Sequence, residues 1–185
     1  MFHPVTPEAV QALASEVTPM SYGRMQYVIR EGETAPNIYF LFTGLYRLAC
    51  ERDGEEDTLC FITEQTPMAS LHTLYNGSEA VLSVHTIIAG KGAELPLQAW
   101  ERLRSEHPTL EQCWERMLVK QLFDLERRYR YFATDSIDAR YATFMKVRPN
   151  FTNLIPLKYI AQYLGVTPET ISRVRARIKD WGEDS

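Results

Sequence analysis

The residues best suited to chemistry lie near the C-terminus, where Thr167, Pro168, Glu169 and Thr170 are followed by Ser172, Arg173, Arg175, Arg177 and Lys179. Thr167 is a good N-cap, Pro168 suits the first helical position, and Glu169 favours the positive end of a helix, so a helix starts here. When such a helix lies in the major groove of DNA, residues near its N-terminus meet the base edges. Arg173 carries a planar fork that can donate twice to guanine, and Glu169 can accept from cytosine N4. Pro168, Glu169, Ser172 and Arg173 are therefore candidate base contacts. Thr167, Thr170, Arg175, Arg177 and Lys179 are candidate phosphate contacts, which position a protein on a duplex without reading its sequence.

A helix used in this way has to be held by a second one. The segment LKYIAQYLGVTPETISRVRA, residues 157–176, meets that requirement position by position. Ala161 is small where two steeply crossing helices approach, and Gly165 lets the chain turn at little steric cost. Ile160, Leu164, Val166, Ile171 and Val174 supply an apolar seam. The pattern predicts a helix-turn-helix whose second helix, 168–179, reads double-stranded DNA. Charge agrees with it. The chain is −4 overall, but Arg140 to Lys179 contains eight Lys or Arg against the single acid Glu169. The positive charge that phosphate binding draws on is thus concentrated in one block.

The rest of the chain reads as a scaffold. With 185 residues, 45% of them hydrophobic, it can bury one substantial domain and a small one. Thr6 caps a first helix within residues 4–18. From Gln26 to Leu95 short β-rich runs alternate with turn signals: YVIREGE, NIYFLFTG, LYRLAC, an Asp53-Gly54 turn, DTLCFI, AVLSVHTII and a Gly90-Lys91-Gly92 turn. This spacing predicts an antiparallel β-barrel or jelly roll, with Tyr39, Phe40, Phe42, Tyr46 and Phe61 in its core. Pro96 opens a helix that stops before Pro108. Beyond it Leu110, Trp114, Met117, Leu118, Leu122, Leu125, Tyr129 and Phe132 recur every three or four residues. A helix of roughly 25 residues spans about 37 Å, more than a small barrel can cover, so part of this stripe is expected to meet a second copy of the chain. A further helix, Ile137 to Lys146, leads through Arg148-Pro149-Asn150 into the C-terminal segment. The expected class is α+β: a barrel domain with flanking helices over 1–108, a dimerisation helix over 109–134, and a helix-turn-helix domain over 135–185.

Several classes are excluded. Cys50, Cys60 and Cys113 are an odd number at wide spacing, which fits neither a disulfide framework nor a thiolate metal site. His3, His72, His85 and His107 lack the paired spacing of a metal-binding barrel enzyme, and the chain is not expected to be an enzyme. No run approaches the roughly 18 apolar residues of a membrane span, and the N-terminus has no signal-like core, so no membrane partner and a cytoplasmic location are expected.

The stretch IPLKYIAQYLGVTPETISRVRARI, residues 155–178, together with the colinear barrel and long helix, resembles the Crp/Fnr family of transcription regulators. The resemblance implies a cyclic-nucleotide-binding-like barrel, a homodimer, DNA as partner and RNA polymerase as a further one. By it, Glu169 and Arg173 match base-reading positions, while Pro168 stands where the family often has Arg. Many members add a β-wing after the recognition helix; without one here, the recognition helix and dimerisation would carry more of the affinity. Nucleotide-binding members combine a Gly-Glu pair with an Arg-Ser or Arg-Thr pair, which together hold the ribose and the phosphate. This chain has Ala69-Ser70 and Ala80-Val81 at those places. No cofactor is expected, cAMP or cGMP binding in the usual mode is not expected, and any other small-molecule effector is unspecified. The competing reading is a ligand-sensing or protein-interaction module of the same fold that leaves DNA untouched.

Overall fold

The computed structural model describes residues 5–63, 66–147 and 153–183, without the side chains of Thr66 and of residues 178–183. The Arg148-Pro149-Asn150 turn and the Lys179 side chain lie outside the described residues. The strands are β1 (Thr18–Tyr22), β2 (Tyr27–Ile29), β3 (Asn37–Leu41), β4 (Leu45–Arg52), β5 (Glu55–Ile62), β6 (Thr66–Met68), β7 (Ser83–Ile88) and β8 (Gly90–Pro96). They form two four-stranded sheets, ordered β1-β8-β3-β6 and β2-β7-β4-β5. Successive strands alternate between the sheets except at the β4–β5 hairpin, so the chain builds the two layers of a jelly roll and does not close into a barrel. The hairpin turns on Asp53 (φ 55°) and Gly54 (φ 78°), the two left-handed residues that a two-residue type I′ turn requires.

Two details of the sequence reading change. Gly90 and Gly92 are not a turn; they lie inside β8, which pairs with both β1 and β3. A Cβ on Gly90 would sit 2.2 Å from the Thr43 carbonyl oxygen, and one on Gly92 would sit 2.4 Å from that of Phe40. These glycines permit close backbone approach, the other common reason for glycine in a strand. Phe42 is also not in the core: it is half exposed beside the tight Thr43-Gly44 turn, whereas Tyr39, Tyr46 and Phe61 are buried and Phe40 is partly buried.

The chain divides into two compact units, Met1–Leu48 with Phe61–Asp124, and Ala49–Cys60 with Leu125–Ser185. Within the first, Tyr22, Tyr39, Tyr46, Leu41, Ile29 and Val84 fill the space between the sheets. Burial, with the nearby Glu94 carboxylate, pushes the Tyr22 and Tyr39 phenols up, the latter to about 12, so these rings stay neutral. On the outer face of β3 and β8, α1 (Pro7–Glu16), α3 (Leu97–Glu106) and the start of α4 (Pro108–Thr134) enclose a second cluster: Ala9, Ile38, Leu95, Trp100, Leu103, Leu110 and Trp114. The Trp100 and Trp114 rings lie 5.2 Å apart, and Trp114 Nε1 donates to the Tyr75 hydroxyl at 2.9 Å. Each such buried apolar side chain is worth about 1.5–3 kcal/mol, which anchors the first half of α4. In the second unit, α5 (Ile137–Val147), α6 (Leu157–Leu164) and α7 (Pro168–Glu183) pack on one another. Among the described residues no helix is long and apolar enough to cross a membrane.

Candidate nucleic-acid interface

Local chemistry sets α6 and α7. Gly165 ends α6 at φ 71°, its N–H donating to the Gln162 carbonyl at 3.0 Å while the Val166 N–H donates to Ala161 at 3.0 Å. This pair of bonds is the Schellman closure, which needs a left-handed residue. The Phe132 ring leaves little room there, since a Cβ on Gly165 would lie 3.3 Å from its Cε1. Gly165→Ala is expected to lose about 1–2 kcal/mol of stability, read as a lower urea midpoint by circular dichroism. An unchanged midpoint would remove the cap from this account. One residue on, the Thr167 hydroxyl accepts from the Thr170 N–H at 3.3 Å, and Pro168 takes the first helical position. Ile160, Ala161, Leu164, Ile171 and Val174 are all but completely buried, closing the seam. Val166 is partly exposed.

The seam turns one face of α7 outward. Glu169, Ser172 and Arg173 are exposed, with Pro168 and Thr170 half-buried beside them. Its own backbone N–H at the helix start, the Thr167 hydroxyl and the Arg173 charge hold the Glu169 carboxyl below the usual range, so at neutral pH it is an acceptor. The Ser172 hydroxyl donates back to the Pro168 carbonyl at 3.1 Å. Arg173 has no hydrogen-bond partner among the described residues. Its neighbours are committed elsewhere. Arg175 Nε donates to the Tyr141 hydroxyl at 2.8 Å, and Arg177 pairs with Asp138 at 2.6 Å, both on α5. Thr167 is exposed and caps α7. The region 125–164 is braced separately: Arg140 donates to the Leu164 carbonyl at 2.9 Å, its guanidinium lies over Phe132, and the Tyr131 hydroxyl donates to the Arg140 carbonyl. These contacts with Tyr141, Asp138 and Phe132 escaped sequence reading, because nothing local signals them.

No family model matches the chain. A CRP-like cAMP-activated global transcriptional regulator of Mycobacterium tuberculosis is 19% identical over 187 residues, covering 95% of this chain and 84% of that protein. Among solved structures, the c-di-GMP responsive global regulator CLP of Xanthomonas campestris matches with a TM-score of 0.77 at 16% identity, covering 96% of this chain and 93% of that one. FixK2 of Bradyrhizobium japonicum matches equally well, with a TM-score of 0.77 at 21% identity over 90% and 86% of the two chains. The chain has the Crp/Fnr fold. By name, the M. tuberculosis relative responds to cAMP and the X. campestris protein to c-di-GMP.

In this chain the region of the nucleotide cassette is occupied by other structure. Ser70 caps a short helix, α2 (Leu71–Asn76), accepting from the Thr73 N–H at 3.2 Å. Ala69 is half-buried against the outer cluster. Ala80 is buried, exchanging backbone bonds of 2.8 and 2.9 Å with the Gly32-Glu33 turn, while Val81 is largely exposed. Beside them opens a concavity of about 700 Å³ lined by Glu31, Thr34, Ser78, Glu79, Ala80 and Val81. Its charged side chains are both carboxylates, which repel a phosphodiester. His85 is buried on β7, its Nε2 2.9 Å from an Arg47 guanidinium nitrogen. Among the described residues Cys50, Cys60 and Cys113 form no disulfide.

The α4 stripe divides in two. Leu110 and Trp114 are buried in the core of the first unit, with Met117 and Leu118 packed at its margin. Further along, Leu122, Leu125 and Tyr129 are 62, 63 and 78% exposed, flanked by exposed Val119 and Phe123.

Proposed function

We propose that the chain is a homodimeric, sequence-specific DNA-binding transcription regulator that reads the major groove with α7. What carries the reading is the start of that helix, where an ionised Glu169 and an uncommitted Arg173, one turn apart, project from a helix whose opposite face is sealed. Pro168, Glu169, Ser172 and Arg173 contact bases; Thr167, Thr170 and Lys179 contact phosphate. Arg175 and Arg177 join the phosphate contacts by exchanging Tyr141 and Asp138 for backbone oxygens. Leu122, Leu125 and Tyr129, at heptad spacing with Leu118 and Phe132, form the seam with a second copy. The partners are double-stranded DNA, a second copy of the chain and RNA polymerase; the role is regulatory, not catalytic. Loss of the cassette side chains and the acidic concavity support a chain that does not bind cAMP or cGMP in the family's usual mode.

Selection of bound sequences from random duplex DNA, followed by footprinting, tests this reading. Expected is a pseudo-palindromic site with half-sites one helical turn apart, since the two-fold symmetry of the protein is mirrored in its operator. Enrichment of no sequence, with no retention on duplex DNA even at low salt, would favour the interaction module instead.

A further inference from the structure

The outer half of the β4–β5 hairpin, Ala49–Cys60, belongs to the same compact unit as α6 and α7. Three contacts bind it to α6. Lys158 Nζ lies 2.9 Å from Glu55 Oε2. The Thr58 hydroxyl, on a residue only 2% exposed, donates to Gln162 Oε1 at 2.8 Å, and Gln162 Nε2 donates to the Glu56 carbonyl at 3.0 Å. Both ends of the Gln162 amide are therefore used. Lys158 and Gln162 are one turn apart on α6, so the hairpin grips one face of that helix. The two strands that carry the grip continue into the other unit at Leu48 and Phe61.

In a helix-turn-helix the first helix crosses the DNA backbone, so a cation in its first turn is placed to meet phosphate. Lys158 is the second residue of α6 and already faces a carboxylate. We propose that the β4–β5 hairpin is an autoinhibitory brace on the helix-turn-helix: Glu55 occupies Lys158 in place of a DNA phosphate, and Thr58 with the Glu56 carbonyl holds Gln162 so that α6 stays docked. Tight binding then requires release of the hairpin. The proposal rests on the DNA-binding reading above and adds a restraint to it. The Glu55–Lys158 pair is exposed, with side chains 71% and 57% accessible, so by itself it is a weak restraint. The part-buried Thr58–Gln162 bond holds the hairpin on α6, which keeps Glu55 opposite Lys158 and gives the brace its geometry.

The test compares wild type, Lys158→Ala, a Glu55→Gln/Thr58→Val double variant and the corresponding triple variant, all full-length, on a random-sequence duplex between about 50 and 200 mM salt. The double variant is expected to bind about threefold or more tightly than wild type, with a salt slope steeper by about one, as one phosphate contact is gained. In the triple variant that gain is lost. Lys158→Ala alone leaves the wild-type slope unchanged, because its ammonium is already taken. Equal binding by wild type and double variant, or a slope reduced by Lys158→Ala in the wild-type background, overturns the proposal. Hydrogen exchange on the same proteins without DNA provides an independent readout: faster exchange across α6 in the double variant supports the brace, and unchanged exchange overturns it. If no variant binds duplex DNA, the DNA-binding reading fails, and hydrogen exchange decides the brace alone.

Discussion

Replacing Leu122 and Leu125 together by glutamate is expected to give a folded monomer whose affinity for a two-fold symmetric DNA site is lower by about two to four orders of magnitude. The size follows from avidity: once one half-site is held, the second binds at a high effective concentration, and that factor of about 10² to 10⁴ vanishes when the copies separate. Both side chains are more than 60% exposed in the single chain, so the change leaves its core intact. A symmetric seam would bring the new carboxylates of the two copies together, and like charges facing each other across an interface are strongly disfavoured. Light scattering reports the mass, circular dichroism the fold and footprinting the affinity. A double variant that remained dimeric would remove this stretch of α4 from the interface. The distinction matters because Leu110 and Trp114, on the same sequence stripe, are core residues; their loss would unfold the chain rather than separate two copies.

Arg173→Ala should cost about 1–3 kcal/mol of discrimination between the selected site and one altered at the base it reads, with little change on random DNA. Among the described residues the Arg173 guanidinium makes no hydrogen bond, unlike those of Arg175 and Arg177, so it reaches a base without first breaking one. Lys179→Ala should weaken binding to all sequences alike and flatten the salt slope by about one. Competition binding with specific and random duplexes separates the two patterns. Equal losses on both DNAs for both variants would contradict this division into base and phosphate contacts.

The helix-turn-helix was legible because its signals act within a few residues. The N-cap bond of Thr167 spans three positions, the closure at Gly165 spans five, and the seam follows from helical spacing. The β4–β5 turn was legible for the same reason, since Asp53-Gly54 suits two left-handed residues in succession. The jelly roll was legible as a class, but β1 and β6 went unread. They are short, and β6 is held by its pairing with β3, with no pattern of its own to announce it. The Gly90–Gly92 error has the same origin. Glycine marks either a turn or a close approach, and the decisive neighbours, Thr43 and Phe40, are about fifty residues away in the chain.

By itself, then, the sequence determined which helix presents Glu169 and Arg173, because capping, glycine geometry and periodicity are local. Tertiary structure decided which of the remaining basic side chains are already engaged. Arg175 meets Tyr141 across 34 positions, Arg177 meets Asp138 across 39, and Lys158 meets Glu55 across 103. It also decided where the α4 stripe leaves its own core and becomes available to another chain. Both depend on packing between distant segments, so the apolar spacing of a helix reveals that a face will be buried but not what will bury it.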